Sequence, residues 1–194
     1  MPDYIAIGSD SDFVRVPLDL PTAAALARTL NLRLPTRKIV DAVYRQAEVQ
    51  LRPITMMPGP QMRSPGYVLT HNRRIELARA GHAVGLLTAG HKKDLVLTRR
   101  LRMIPGRVAI YGWHLAAGRP IQPLSTYHGA RYADYSHGVR FVAPTVMIDG
   151  VPHEYFEVLA DRTLGPVLSY EGRIQDAQSL PDATRRVSSE DARR

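Results

Sequence analysis

The pattern of hydrophobic and polar positions changes along the chain and divides it into a helical and a sheet-rich part. Near the N-terminus apolar residues recur with the 3.6-residue period of an amphipathic helix, whereas beyond about residue 90 short apolar runs alternate with turns rich in glycine and proline. This order predicts an α+β fold in which N-terminal helices pack against an irregular, mainly antiparallel β-sheet.

Two helices are predicted in the N-terminal part. Thr22 is a candidate cap for a helix over Ala23–Leu30, because its hydroxyl can accept a hydrogen bond from a free backbone N–H. Pro35-Thr36 opens a second helix over Arg37–Val49, whose apolar face consists of Ile39, Val40, Val43, Tyr44 and Ala47. A third helix is predicted within Tyr67–Ala80.

Strands are predicted over Asp94–Thr98, Arg107–Trp113, Ile121–Leu124 and Tyr132–Ser136. Side chains alternate between the two faces of a strand. If Tyr132–Ser136 is extended, the side chains of Tyr132, Asp134 and Ser136 therefore lie on one face of the strand. The side chains between them point to the opposite face.

The chain length suits one domain, which we expect to span residues 1–180. The helical part covers about residues 1–52, and residues 53–66 contain four prolines and two glycines, which indicates a linker. The sheet-rich part covers 67–180. Residues 181–194 are polar and are predicted to form a flexible tail.

Composition excludes several classes of protein. The 194 residues include no cysteine, which excludes disulfides, cysteine-ligated zinc, iron–sulfur clusters and thiol nucleophiles. No stretch approaches the roughly 18 apolar residues of a membrane span. Residues 1–20 carry four acidic groups and no apolar core, so we expect no signal peptide in this chain.

The net charge of +8 comes from one segment. Residues 51–110 contain eleven basic residues and two acidic ones, a balance of +9. A local positive field favours an anionic or carbohydrate polymer as partner, although it also fits a solvated basic face without a ligand. Nucleic acid is the less favoured polymer, because no aromatic residue lies between Lys92 and Arg107 to stack on bases.

Polar aromatic residues and histidines are concentrated in the second half of the chain. Six of the seven histidines lie between His71 and His137, and four of the nine tyrosines lie between Tyr111 and Tyr135. Such a concentration in a turn-rich sheet is typical of a ligand site, although the same residues can simply cover strand surfaces. The predicted catalytic residues are His128, His137, Asp134, Tyr135 and Lys93.

Asp134 can orient a histidine ring and raise its basicity, which makes His128 or His137 a candidate general base or acid. Arg140 is predicted to hold a carboxylate or to stabilise developing negative charge. Lys92 and Lys93 are neighbours on a strand and point to opposite sides, so at most one of them faces a given pocket. The predicted substrate-binding residues are Tyr111, Trp113, His114, Gln122, Tyr132, Arg140, Lys92 and His91.

Sequence motifs for nucleotide, metal and serine-hydrolase chemistry are absent. The chain has no G-x-S-x-G, no Walker A loop, no G-x-G-x-x-G and no H-E-x-x-H. His128 and His137 are nine residues apart, which matches no standard zinc spacing. We therefore predict no metal and no cofactor.

Two resemblances arise from these residues. Ser136-His-Gly-Val-Arg140, preceded by His128-Gly129, resembles the signature of L,D-transpeptidases, which cross-link peptidoglycan. That signature has its catalytic cysteine directly after S-H-G, where this chain has Val139, and the interval between the two histidines is shorter here. The resemblance implies a relative that cannot perform the family's reaction.

A second resemblance covers roughly residues 3–142. Its motifs are similar to those of a group of uncharacterised, often exported bacterial proteins: Leu34-Pro-Thr-Arg-Lys38, Lys92-Lys-Asp94, Tyr111-Gly-Trp-His114, Pro120-Ile-Gln-Pro-Leu124 and Asp134-Tyr-Ser-His-Gly138. The resemblance implies a shared fold and an extracytoplasmic protein whose leader is absent from this chain. The composition also fits a cytoplasmic protein.

We hypothesise from the sequence that the protein is an enzyme and favour a hydrolase over other classes. Its predicted substrate is a cell-envelope or extracellular polysaccharide or a peptidoglycan-type polymer. A glycosidase needs two carboxylates, which requires Asp94 and Asp134 to face each other. One alternative is a lyase for acidic polysaccharides with a histidine or tyrosine base and an arginine or lysine that neutralises the substrate. The other is a non-catalytic binding module for an anionic polymer.

Overall fold

The computed structural model describes residues 1–182, so most of the predicted tail (residues 183–194) lies outside the described residues. The α-helices are α1 (Leu20–Thr29), α2 (Arg37–Gln46), α3 (Pro65–Arg79), α4 (Arg100–Met103), α5 (Tyr155–Ala160) and α6 (Gly165–Leu168). Short 3-10 turns cover Pro60–Arg63 and Leu180–Asp182.

Within residues 1–182 the strands are short and form four separate sheets. They are β1 (Ala6–Gly8), β2 (Phe13–Arg15), β3 (Val49–Gln50), β4 (Thr88–Ala89), β5 (Lys93–Leu95), β6 (Ile110–Ala116), β7 (Arg119–Ser125), β8 (His137–Gly138), β9 (Thr145–Ile148) and β10 (Val151–Glu154). The largest sheet has the order β7-β6-β5-β8, in which β5 and β8 are parallel and the other pairs are antiparallel. The prediction of an α+β fold with a mainly antiparallel sheet is confirmed.

The two N-terminal helices begin at side-chain caps. Asp19, rather than Thr22, caps α1, because its carboxylate accepts a hydrogen bond from the Thr22 N–H at 2.9 Å and the helix already begins at Leu20. Thr36 caps α2 as predicted. That helix ends at Gln46, because the next residues leave it to pair β3 with β4 in parallel.

Helices also follow the linker and the main sheet. Helix α3 begins at Pro65, inside the predicted linker, and the residues after the last strand form α5 and α6. The main core lies between the main sheet and helices α1, α2 and α5, where Leu95, Val108, Phe141 and Leu159 are fully buried. Ile75 of α3 packs in a smaller, separate cluster with two residues at β3. Within residues 1–182, no helix has the length and apolar character to cross a membrane.

The predicted strand over Tyr132–Ser136 is wrong, and the difference shapes the candidate site. The Asp134 carboxylate accepts hydrogen bonds from the backbone N–H of Ser136 at 2.8 Å and from its hydroxyl at 2.6 Å. The Asp134 carbonyl accepts from the His137 N–H at 3.0 Å. These local bonds replace a strand ladder and form a turn, so the expected alternation of side chains does not hold.

Candidate functional site

The turn at Asp134 lies beside strand β5 because the next two residues pair with it. His137 and Lys93 are register partners in the parallel β5/β8 pair, and the Lys93 N–H donates to the Ser136 carbonyl at 2.8 Å. This pairing brings a lysine from the first strand of the main sheet to a turn more than forty residues later. We call Lys93, His128, Tyr132, Asp134 and His137 the Asp134 cluster.

Asp134 is the buried centre of this cluster. Besides the two bonds from Ser136, its second carboxylate oxygen accepts from the Tyr132 hydroxyl at 3.0 Å. Burial alone would raise the pKa of Asp134, but His137 in its protonated form, the hydrogen bonds from Ser136 and the charge of Lys93 lower it. The carboxylate is therefore ionised at neutral pH, and its oxygens are already engaged by neighbouring donors.

Two histidine rings pack on the phenol of Tyr132. The His128 ring stacks flat on it, with centroids 4.0 Å apart and planes 8° apart. The His137 ring meets it edge-on at 5.6 Å and lies 6.3 Å from the His128 ring. His128 is half-buried, whereas His137 is fully buried and neither of its ring nitrogens has a hydrogen-bond partner among the described residues.

Burial also keeps the two histidines and the tyrosine of the cluster in their neutral forms. It lowers the pKa of His128 and of His137, and the charge of Lys93 adds to the effect on both. Burial and the nearby Asp134 carboxylate raise the pKa of Tyr132 to about 12. At neutral pH the cluster thus holds two neutral imidazoles, which can accept protons, and a phenol that carries one.

Lys93 supplies the positive charge. Its ammonium lies over the indole of Trp113, 4.7 Å from the ring centroid, in a cation–π contact. Burial lowers the pKa of Lys93, and the Asp134 carboxylate opposes this effect. Trp113 has a left-handed backbone (φ 58°), and its indole N–H donates to the His91 carbonyl at 3.1 Å, so the ring is fixed in place.

Exposed aromatic and basic side chains surround the cluster. Tyr127 is 79 % exposed, and its ring contacts His128 edge-on at 5.2 Å. The Arg63 guanidinium lies 5.4 Å from the Tyr132 ring centroid, and Arg107 donates to the Tyr127 carbonyl at 2.6 Å. By contrast Trp113 is only 7 % exposed, so Tyr127 is the more accessible surface for a sugar ring.

Several predicted site residues lie elsewhere. Arg140 is buried, donates to the carbonyls of Met1 and Thr88, and places its guanidinium 4.5 Å from the ring centroid of Tyr4. It has no route to a substrate carboxylate and instead joins the N-terminus to the sheet.

Lys92, His91 and Tyr135 also face the interior. The Lys92 ammonium donates to the Tyr135 carbonyl at 2.6 Å, and burial lowers its pKa to about 7. His91 is fully buried with its ring nitrogen 3.3 Å from the Asp3 carboxylate. The Tyr135 hydroxyl accepts from the Met56 N–H at 2.9 Å. These three residues hold the strand and turn behind the cluster, and the two lysines point to opposite sides as predicted.

Tyr111 and His114 belong to a second buried group. The Tyr111 hydroxyl and the His114 ring lie 2.8 and 2.9 Å from the same Asp41 oxygen, and Tyr44 stacks on His114 with centroids 4.6 Å apart. Burial would raise the pKa of Asp41, but hydrogen bonds from His114, Tyr111 and a further tyrosine lower it. The group connects helix α2 to strand β6 and shares no hydrogen bond with the Asp134 cluster.

Gln122 lies on β7, the edge strand of the main sheet. It pairs with Gly112, which in turn pairs with Lys93, so two strand spacings of roughly 10 Å in total separate Gln122 from Lys93. Its side-chain amide donates to the Pro123 carbonyl at 2.9 Å. Gln122 therefore borders the cluster without contacting it.

The two carboxylates required for a glycosidase are held by different partners. Asp94 is buried, accepts a hydrogen bond from the Tyr4 hydroxyl at 2.8 Å and lies 3.9 Å from the Arg140 guanidinium. Asp94 follows Lys93 on strand β5, and its side-chain partners are different from those of Asp134. Burial raises the pKa of Asp94 to about 6. Among residues 1–182, no group of three or more histidine and acidic side chains is arranged to hold a metal ion.

Sequence reasoning did not find Arg63, Arg107 or Tyr127. Arg63 lies in a proline-rich segment about seventy residues before Asp134, and only the fold brings it near. Tyr127 directly precedes His128 in the sequence, and this adjacency could have identified it as a candidate site residue. Searches against protein-family models, curated proteins and solved structures found no match for this chain.

Proposed function

We propose that this protein is an enzyme that cleaves an anionic polysaccharide by general acid–base catalysis, through elimination next to a uronate carboxylate. The observation that supports this is the make-up of the Asp134 cluster. One cation, two neutral imidazoles and one phenol surround a single carboxylate.

This composition favours elimination over hydrolysis. A glycosidase of the usual type needs two carboxyl groups that flank the scissile bond. Asp134 already accepts three hydrogen bonds, and Asp94 is bound to Tyr4 and Arg140. Elimination instead needs a neutral base, a cation for the substrate carboxylate and a proton donor, and the cluster offers each of them.

In the proposed step the His128 imidazole takes the proton from the carbon next to the substrate carboxylate. The electron pair of that C–H bond forms a carbon–carbon double bond while the bond to the departing glycosidic oxygen breaks. The Tyr132 hydroxyl donates a proton to that oxygen. After product release the His128 imidazolium gives its proton to water, and the phenolate takes a proton from water. Lys93 binds the substrate carboxylate and stabilises the negative charge that develops on it.

The remaining residues assist. Asp134 orients the Tyr132 hydroxyl, and buried His137 packs edge-on against the phenol ring as a positioning residue. Tyr127 offers a surface for a neighbouring sugar, and Arg63 offers a second cation. A cell-envelope or extracellular polymer stays the proposed source of the substrate, together with an extracytoplasmic location.

The test is incubation with polygalacturonate, alginate and peptidoglycan, with two readouts for products. Elimination creates both new reducing ends and the ultraviolet absorbance of an unsaturated uronate. Reducing ends without that absorbance indicate a hydrolase and contradict the elimination. If no polymer is cleaved but one of them changes the fluorescence of Trp113, the only tryptophan of the chain, the protein is a binding module and not an enzyme.

A further inference from the structure

A second basic region lies at the start of α4, away from the Asp134 cluster. Its six arginines come from four parts of the chain and surround two adjoining clefts of about 460 and 400 Å³. We call this region the arginine surface; it consists of Arg37, Arg99, Arg100, Arg102, Arg162 and Arg173.

The positive charge of this surface is only partly balanced. Among residues 1–182, Glu171 and Asp176 form ion pairs with it, and the pKa of a third carboxyl group, that of Asp161, is lowered by backbone hydrogen bonds and by the charge of Arg173. Glu171 is engaged by the fold, because it accepts hydrogen bonds from the Thr98 hydroxyl at 2.5 Å and from the Arg99 N–H at 2.8 Å. Asp176 pairs with Arg102. Within residues 1–182 six guanidinium groups therefore face three carboxylates, which leaves a net positive local field.

Two arginines have unused donors. The Nε atom of Arg37 is buried without a hydrogen-bond partner among the described residues, and its guanidinium lies over the ring of Tyr170. Arg162 is exposed and has no hydrogen bond or ion pair within residues 1–182. Arginine forks suit carboxylate, sulfate and phosphate groups, because they donate two parallel hydrogen bonds. The clefts thus have the chemistry of an anion site.

The arginine surface is connected to the Asp134 cluster by a short stretch of chain. Arg100 donates to the carbonyl of Leu124, which lines the larger cleft, and His128 follows four residues later. Arg107, at the other end of the same basic loop, donates to the carbonyl of Tyr127. From Lys93 to Arg99 the chain spans at most about 22 Å. Positive groups therefore extend from the cluster to the arginine surface.

We infer that the arginine surface is an extended subsite that binds further acidic sugars of the same anionic polysaccharide strand. This inference rests on the proposed function for the identity of the polymer. Repeated carboxylates along one polysaccharide strand match the several guanidinium groups of the arginine surface. Arg100 and Arg107 contact the segment of chain that leads from the larger cleft to His128. The surface gives affinity for long chains and takes no part in the chemical step.

The experiment compares two double variants with equal charge changes. Arg99→Glu with Arg162→Glu alters the arginine surface, whereas Arg45→Glu with Arg119→Glu alters exposed arginines elsewhere. Both are made in the His128→Ala protein so that the substrate is not consumed. Binding of a long and a short oligogalacturonide is measured by titration calorimetry at constant salt, and thermal melting checks the fold.

We expect the first double variant to bind the long oligosaccharide roughly tenfold more weakly, and the control to lose much less. Binding of the short oligosaccharide changes equally little in both. Equal affinity of both variants for the long chain overturns the inference. Tighter binding of single-stranded DNA than of the oligosaccharide, lost in the first variant, also overturns it and assigns the surface to nucleic acid. Since no turnover is measured, this result is independent of whether elimination occurs.

Discussion

The imidazole of His128 lies flat on the phenol of Tyr132, with ring centroids 4.0 Å apart. The hydroxyl of that phenol is tied to Asp134, so the stack fixes the orientation of a histidine that is otherwise half-exposed. The relationship joins the proposed base to the proposed acid in one rigid unit. It also separates two contributions of Tyr132, because the ring supports His128 while the hydroxyl moves a proton.

Replacing the hydroxyl alone tests the second contribution. Tyr132→Phe keeps the stacked ring but removes the proton donor, so we expect kcat to fall by about 10² or more while KM changes little. The control is Tyr127→Phe, which removes an exposed hydroxyl beside the same histidine. Initial rates of product absorbance measure both. An unchanged kcat in Tyr132→Phe would exclude the phenol as the acid.

The pKa of His128 provides a test that needs no substrate. Burial and the charge of Lys93 lower this pKa, so Lys93→Met is expected to raise it. Nuclear magnetic resonance titration of the imidazole signals measures the change. Because Lys93 also binds the substrate carboxylate in the proposed step, kcat/KM of Lys93→Met is expected to be lower at every pH, and its acid limb is expected to lie at higher pH. If the His128 titration is the same in both proteins, Lys93 does not act on it.

Gly138 is a position where the fold tolerates no side chain. A Cβ atom there would lie 2.5 Å from a ring carbon of Tyr4 and 2.8 Å from the Cβ of Lys92. Gly138→Ala is therefore expected to lower the free energy of unfolding by about 1–3 kcal/mol. Gly66→Ala, where the new Cβ has no neighbour within 4 Å, is the control and is expected to cost nothing. Urea unfolding distinguishes them, and equal stability of both variants contradicts the close packing at Gly138.

Acid is expected to destabilise the protein. Burial lowers the pKa of His71 to about 3 and of His91 to about 4, and also lowers that of His137, whereas the unfolded residues titrate near 6.5. The unfolded state then binds more protons in this window, so stability falls as the pH falls from about 6.5 to about 4, by up to about 1.4 kcal/mol per pH unit for each ring.

One carboxylate works in the opposite direction. Burial raises the pKa of Asp94 to about 6, so below that pH the carboxylate is protonated in the native state while it is still ionised in the unfolded state. This proton uptake by the native state offsets the loss of stability caused by one of the three histidines. Urea unfolding near pH 7 and near pH 5 measures the net effect. His71→Gln keeps a donor for the Ile54 carbonyl and removes one titrating ring, so its stability should depend less steeply on pH. Equal stability of the wild type at both values contradicts the expectation.

Much of the fold could be predicted from local sequence signals. Thr36 and the 3.6-residue period of apolar residues after it correctly predict the start of α2. The turn residues between the two predicted strands indicate the antiparallel pairing of β6 and β7. The strand over Tyr132–Ser136 was wrong because an aspartate two residues before a serine can bond its N–H and hydroxyl, and this local turn competes with the ladder.

Residue type alone did not separate surface from interior in the candidate site. Lys93 and His137 meet because β5 and β8 are parallel neighbours, a long-range pairing that no local pattern encodes. Arg140 carries a charge that suggested a binding role, yet it is buried against backbone carbonyls. Arg63 enters from a proline-rich segment whose path is set by tertiary packing.

The comparison of His128→Ala with His82→Ala tests the central claim most directly. His128 is the proposed base, whereas His82 is an exposed histidine outside the Asp134 cluster. On the polyuronate that gives the strongest absorbance of unsaturated product, we predict a rate at least about 10²-fold lower for His128→Ala and an unchanged rate for His82→Ala, with melting temperatures equal to that of the wild type. Equal rates in the two variants would contradict an acid–base site at the Asp134 cluster.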